Sequence, residues 1–189
     1  GPCASASALR AAALRGDEAG ESALPDKARF QWPLLSARRE IDDLFLWALR
    51  SGPDFLATLP EISEGLENRV SAAARTAASA EEALEQAKCR RYTRARLDRL
   101  AAHALTGLTA ELTQAHPAPE YLRLLGAGNS QVLREIAHRA TLPMLDAARL
   151  RENAIFRFEC HVTDLWALTR TLPRERQAGQ EFPRPFVRP

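Results

Sequence analysis

The chain has 189 residues, a formal net charge of +2, and 46% apolar and 26% charged residues. That is ordinary for one or two soluble globular domains with room for a buried core. The longest unbroken apolar run, Leu44 to Leu49, is far too short to span a bilayer, and three widely spaced cysteines, Cys3, Cys89 and Cys160, argue against a disulfide framework and for a reducing, cytoplasmic setting.

Gly1-Pro2 reads as the remnant of a cleaved tag, and no signal peptide is visible. Ser5 or Ser7 is placed to cap a short helix through Leu14, closed by Gly16. A less regular stretch with Pro25 and Pro33 follows. Ile41, Leu44, Phe45, Ala48 and Leu49 recur at helical spacing, and Gly52-Pro53 ends that helix. A short turn is expected from Asp54 to Leu59. The next helix turns Leu66, Val70 and Ala74 to the core. Ser79-Ala80-Glu81-Glu82 is a capping-box pattern that opens a helix running to about Cys89. Thr93 is a cap for the helix after it, on which Leu97, Leu100, Ala101, Ala104 and Leu108 share the core face. A helix from Thr109 to Ala115 precedes the breaker "HPAP". In "EYLRLLGAG", Tyr121, Arg123 and Leu125 alternate with Leu122 and Leu124, as in a short strand. Asn129 caps a helix to about Arg139, and a last helix covers Asn153 to Leu168. The proline-bearing tail after Leu172 reads as extended or partly disordered. Cys160-His161 has nothing nearby to complete a zinc set, so no metal is expected.

One stretch departs from this regularity. From Lys88 to Arg99 there are six cations, Lys88, Arg90, Arg91, Arg94, Arg96 and Arg99, against one acid, Asp98; from Glu61 to Ala87 there are six acids and two arginines. Arg96, Arg99 and His103 form a stripe opposite the core face. Two readings fit. One is the solvated face of an amphipathic helix. The other is a docking site for an anion. For the second, Arg94 and Arg96 lie in the first helical turn, where the dipole disfavours cations by roughly 0.3–1 kcal/mol each. A helix start flanked by arginines suits phosphate, and Tyr92 is a candidate to stack on a base. Arg91 and Arg94 are expected to be exposed.

"SEGLENRV" (Ser63 to Val70), "KCRRYTRARLDRLAAHALTG" (Lys88 to Gly107), "EYLRLLGA" (Glu120 to Ala127) and "VTDLWAL" (Val162 to Leu168) follow in that order. With these segments the chain resembles the C-terminal part of the bacterial tRNA(Met) cytidine acetate ligase family. "SASALRAAALRGD" (Ser5 to Asp17) is similar to the serine-rich segment that closes the family's nucleotidyltransferase-like domain. The resemblance covers about Ala4 to Leu168 and is most specific from Ser63 to Gly107. It implies a parent protein that activates acetate with ATP as an acetyl-adenylate and passes the acetyl group to N4 of the wobble cytidine of elongator tRNA(Met). The ATP domain, with its H-x-G-H-type motif, is expected upstream of Cys3, so no cofactor and no catalytic residue is assigned to this chain. Ser5, Ser7 and Arg10 fall on the segment bordering the nucleotide. Lys88, Arg90, Arg91, Tyr92, Thr93, Arg94 and Arg96 fall on the basic block. Cys89 and Arg90 stand where threonine and lysine are commoner. Glu64, Glu67, Asn68 and Arg69 belong to the neighbouring block, and Glu67, Asn68 and Arg69 have a second reading, tying their helix to the basic segment.

The expected fold is all-α, a compact helical domain with room for one short β element near residues 121–125. Residues 3–17 are expected to end a nucleotidyltransferase-like domain, 18–172 to form a helical tRNA-binding domain, and 173–189 a proline-rich tail. The expected function is tRNA recognition within an ATP-dependent wobble-cytidine acetate ligase, the RNA held by Lys88, Arg90, Arg91, Tyr92, Thr93, Arg94, Arg96, Arg99 and His103. The expected partner is tRNA, elongator tRNA(Met), without membrane or metal. The alternative is a helical packing or self-association module with no direct RNA contact.

Overall fold

Two acids, Asp42 and Asp43, stand at the start of the first fully described helix, α1 (Asp42–Leu49), where the dipole favours them. The structure is a computed structural model; it describes residues 5, 8–9, 11–12, 15, 41–123, 129–145, 149–170 and 172–182. Gly52, at φ 97, turns the chain into α2 (Pro53–Leu56), whose proline occupies the first helical position. The turn expected from Asp54 to Leu59 is therefore partly this short helix, because Pro53 presets a helical φ. Next come α3 (Leu66–Thr76), α4 (Ala80–Ala87), α5 (Arg94–Thr106) and α6 (Ala110–Ala115). Ser79 Oγ accepts from the Glu82 N–H at 3.1 Å and Glu82 Oε2 accepts from the Ala78 N–H at 2.8 Å, so α4 opens with a capping box shifted by one residue. Gly107, at φ 72, closes α5, and Thr109 Oγ1 caps α6 by accepting from the Leu112 N–H at 3.1 Å.

Helices α1, α3, α4 and α5 pack together, with α2 against α3. Their shared core holds Leu49, Leu56, Leu66, Val70, Leu84, Leu97 and Leu100, all at 0% exposure. Each such leucine contributes about 1.5–3 kcal/mol relative to an exposed one. Ala74, Ala77, Ala80, Ala83 and Ala87 are buried along α3 and α4, small side chains that let two helix backbones approach closely.

Neither α3 nor α4 ends in a glycine. Arg50, just past α1, donates from Nε to the Ala74 carbonyl and from Nη2 to the Ala77 carbonyl, each at 2.8 Å. Arg69, on α3, donates from Nε to the Ala87 carbonyl at 2.5 Å and from Nη2 to the Lys88 carbonyl at 3.4 Å. Arg69 thus ties its helix to the start of the basic segment.

Strand β1 (Leu122–Arg123) pairs in parallel with β2 (Met144–Leu145), Leu122 opposite Met144 and Arg123 opposite Leu145. The β element lies within the expected window, and residues 124–128 lie outside those described. Helix α7 (Ser130–Arg139) is capped by Asn129 Oδ1, which accepts from the Gln131 N–H at 2.8 Å. Helix α8 (Ala154–Ala167) is opened by Asn153 Oδ1, which accepts from the Phe156 N–H at 2.9 Å. Leu150, Phe156 and Cys160 form a second apolar cluster with Tyr121 against it. The expectation of an extended tail needs correction over its described part. Pro173–Glu175 is a 3-10 turn, Phe182 meets Phe156 edge-on at 5.7 Å, and Glu181, 5% exposed, binds Arg123 and accepts from Thr163 Oγ1 at 2.7 Å. A buried ion pair and a ring contact hold this segment where proline content alone reads as slack. The described residues are mainly α-helical.

The chain divides into two compact units, Gly1–Ile41 with Asp164–Ala178, and Asp42–Thr163 with Gly179–Pro189. In the first, Ser5 Oγ caps a helical segment by accepting from the Ala8 N–H at 3.2 Å, and Arg170 pairs with Glu175 at 2.9 Å. The basic stretch lies in the second. No helix among the described residues is long and apolar enough to cross a membrane, and no cluster there is suited to a metal ion.

Candidate nucleic-acid interface

Helix α4 stops at Ala87, short of the expected Cys89, because the chain there closes a tight turn. The Cys89 N–H donates to the Tyr92 carbonyl at 3.3 Å and the Tyr92 N–H to the Cys89 carbonyl at 3.1 Å. Arg90 and Arg91 form the tip of that turn and are exposed. No ion pair to Arg90 is present among the described residues. Arg91 pairs with Glu64, the two side chains 60% and 56% exposed. Lys88 pairs with Glu85 at 3.2 Å, again at the surface. Thr93 is exposed and occupies the N-cap position of α5, yet its side chain makes no capping bond.

Four of the predicted contact residues face inward, which corrects the picture of a wholly solvated block. Tyr92 is 5% exposed and belongs to the core; its hydroxyl donates to the Glu64 carbonyl at 3.1 Å. No face of its ring is open to a base. Arg94, expected to be exposed, binds Glu81 through Nη1 and Nη2 at 2.5 Å each, Glu85 at 3.2 Å and Asp98 at 2.9 Å. The bond to Glu81 and those to Asp98 and Glu85 hold its proton more tightly than in a free guanidinium. In return Lys88 and then Arg94 hold the Glu85 carboxyl below its ordinary range. Three carboxylates also explain how a cation is tolerated at a helix start: their Coulomb attraction outweighs the dipole's roughly 0.3–1 kcal/mol. Arg96 lies over the Tyr92 ring at 5.4 Å and donates to the Glu61 carbonyl at 2.5 Å and to Ser63 Oγ at 2.8 Å.

The stripe Arg96, Arg99 and His103 does not point into empty solvent either. It converges on Glu61. The Glu61 carboxylate, 14% exposed, lies 3.5 Å from Arg99 Nε and 2.5 Å from His103 Nδ1. Arg99 itself remains 59% exposed. Glu61 was not legible as a site residue, though a basic stripe at i, i+3 and i+7 is a signal that one acid could serve all three. The acid-rich run before Ala87 and the cation-rich run after it are thus largely each other's partners. Lys88, Arg90, Arg91, Thr93 and Arg99 remain at the surface. Arg91 and Arg99 both reach the loop 61–64, so they border one surface. Of the nucleotide-bordering residues, Ser5 is described, as a helix cap; Ser7 and Arg10 lie outside the described residues.

A family model described as HIGH Nucleotidyl Transferase matches residues 1–181. The chain is similar to the tRNA(Met) cytidine acetate ligase of Lysinibacillus sphaericus, 29% identical over 155 residues, covering 77% of this chain and 36% of that protein. It is 32% identical over 142 residues to the tRNA(Met) cytidine acetate ligase of Acetivibrio thermocellus, covering 69% and 34%. It thus spans about a third of the length of these curated relatives. Among solved structures it is similar to Thermotoga maritima TmcAL bound with alpha-thio ATP, with a TM-score of 0.82, 22% identity, and coverage of 98% of this chain and 52% of that one. At that identity the likeness establishes the fold. The expectations that the family match concerns a C-terminal part alone and that ATP stays outside this chain gain no support from these matches. On the match over residues 1–181, the chain belongs to the HIGH nucleotidyl transferase family.

Proposed function

We propose that this chain is the tRNA-recognising part of an ATP-dependent tRNA(Met) wobble-cytidine acetate ligase, acting in the cytoplasm. The observation that carries the reading is the Cys89–Tyr92 turn, which holds Arg90 and Arg91 exposed at its tip, close along the chain to Lys88. A rigid turn presenting cations without a buried counter-charge suits the phosphate backbone of RNA, where affinity comes from neutralised phosphates. Tyr92, Arg94, Arg96 and His103 serve this surface by fixing the turn and α5 rather than by contact. Ser5, Ser7 and Arg10 border the nucleotide in the whole protein, and ATP is its cofactor. A second reading, a packing module with no RNA contact, is favoured by the inward pairing of Arg94 and Arg96.

Binding of a tRNA(Met) anticodon stem-loop at several salt concentrations separates the two. The RNA reading expects a log–log salt slope with about 0.7–0.9 for each neutralised phosphate. It also expects Arg90→Glu with Arg91→Glu to lower both affinity and slope while the melting temperature stays near wild type, since exposed pairs contribute about 0–1 kcal/mol. Weak binding, unchanged by that double reversal, would establish the packing module instead.

A further inference from the structure

Glu64 has φ 57, the one non-glycine residue with a positive φ among those described, and Gly65 follows at φ 83. For an L residue that conformation costs roughly 1–2 kcal/mol, which glycine would avoid. The surroundings over-determine it. The Glu64 carbonyl accepts from the Tyr92 hydroxyl at 3.1 Å, the Leu66 N–H donates to the Ser63 carbonyl at 3.2 Å, and Arg96 grips Ser63 Oγ and the Glu61 carbonyl. The result of this stitching is a carboxylate laid on Arg91. Yet the pair is more than half exposed on both sides, and such pairs contribute only about 0–1 kcal/mol to stability. The loop's bonds account for the backbone conformation, but so weak a surface pair does not offset the cost of a glutamate where glycine would sit unstrained.

Carboxylate and phosphate present similar oxygen pairs to a guanidinium. We infer that Glu64 stands in for a phosphate on Arg91 and is displaced when the RNA backbone arrives, which makes it the residue that sets the affinity threshold of the surface. The inference rests on the RNA-binding reading proposed above. An isolated phosphate competes with a tethered carboxylate at a disadvantage. A polyanion that also reaches Arg90 and Lys88 does not. Glu64 differs from the other acids of the block: the Glu61 carboxylate is mostly buried and shared with His103, and Glu85 is shared between Lys88 and Arg94.

Two substitutions remove the charge differently. Glu64→Gly frees the backbone of strain, and Glu64→Gln keeps the side chain's size. Each is combined with Arg91→Gln, and all are titrated with the anticodon stem-loop at low salt. Both single variants should bind RNA about two- to fivefold more tightly, the range that losing a competitor of up to about 1 kcal/mol allows. The gain should vanish in the Arg91→Gln background. An equal gain in both backgrounds would reveal a general charge effect and overturn the inference, as would no gain at all. If Arg90→Glu with Arg91→Glu weakens binding while Glu64 has no influence, the inference fails and the RNA reading stands. If no variant and no wild type binds RNA in a salt-dependent way, both fail.

Discussion

Arg94→Glu is expected to destabilise the protein, although an acid at a helix start is ordinarily favourable. The guanidinium makes a bidentate bond to Glu81 at 2.5 Å, with Glu85 at 3.2 Å and Asp98 at 2.9 Å. Those acids are 60%, 51% and 42% exposed, so each pair contributes about 0.3–1 kcal/mol. Losing all three costs about 1–3 kcal/mol. A glutamate in their midst adds like-charge repulsion of comparable size, about 1 kcal/mol per neighbour at 4 Å in a water-like dielectric. The dipole returns roughly 0.3–1 kcal/mol. The net loss is about 2–4 kcal/mol for Arg94→Glu and about 1–2 kcal/mol for Arg94→Met. For a chain of this size that corresponds to drops in melting temperature of about 4–16 °C and about 2–8 °C. Thermal unfolding followed by circular dichroism reads both. The gap between the two variants should narrow at about 1 M salt, where the Debye length shrinks to about 3 Å. An Arg94→Glu protein as stable as wild type at low salt would refute the reasoning.

Three further outcomes follow from the geometry. Glu181→Ala leaves Arg123 without its buried partner and should cost about 3 kcal/mol in denaturant unfolding, whereas Arg123→Met combined with Glu181→Leu should recover most of the loss, because replacing a buried pair is far cheaper than breaking one. Ser79→Ala removes the α4 cap and should cost about 1 kcal/mol, read in the same assay. Glu85 is held below the ordinary carboxylate range by Lys88 and Arg94, and Glu120 by His116 and Asn153. A lowered folded pKa means the unfolded chain takes up the proton first, so their contribution is complete above the ordinary range and lost as pH falls through the folded values. Melting temperature should therefore fall on acidification, and less steeply in Glu85→Gln.

Local chemistry was readable wherever a signal and its partner lie within one turn of chain. The caps at Ser79 and Asn129 and the apolar face of Leu97, Leu100, Ala101 and Ala104 are of this kind. The fate of the basic block was not, because its partners lie far away in sequence: Glu61 is 35 positions from Arg96 and 42 from His103. A reversal of charge sign along the chain looks the same whether the halves fold onto each other or one awaits a ligand. Tyr92 misled for a related reason. Among arginines it reads as exposed, but an amphipathic ring with one hydrogen-bond handle is equally suited to a buried position whose polar end finds a carbonyl, here that of Glu64. The lattice of short strands was half visible, since alternation near Tyr121 is a pattern while Met144–Leu145 is too short to make one.

The ends of α3 and α4 are closed by side chains from elsewhere, Arg50 and Arg69, which grip carbonyls up to 27 and 19 positions away. A glycine cap would have made each helix end a local matter, able to form and fray by itself. Here the free carbonyls of each helix end are satisfied only when its neighbour is in place, which couples the end of each helix to the tertiary packing. The fork of a guanidinium reaching two carbonyls together is what makes the closure, and a lysine at either position, with a single point of charge, would leave one end of the helix open.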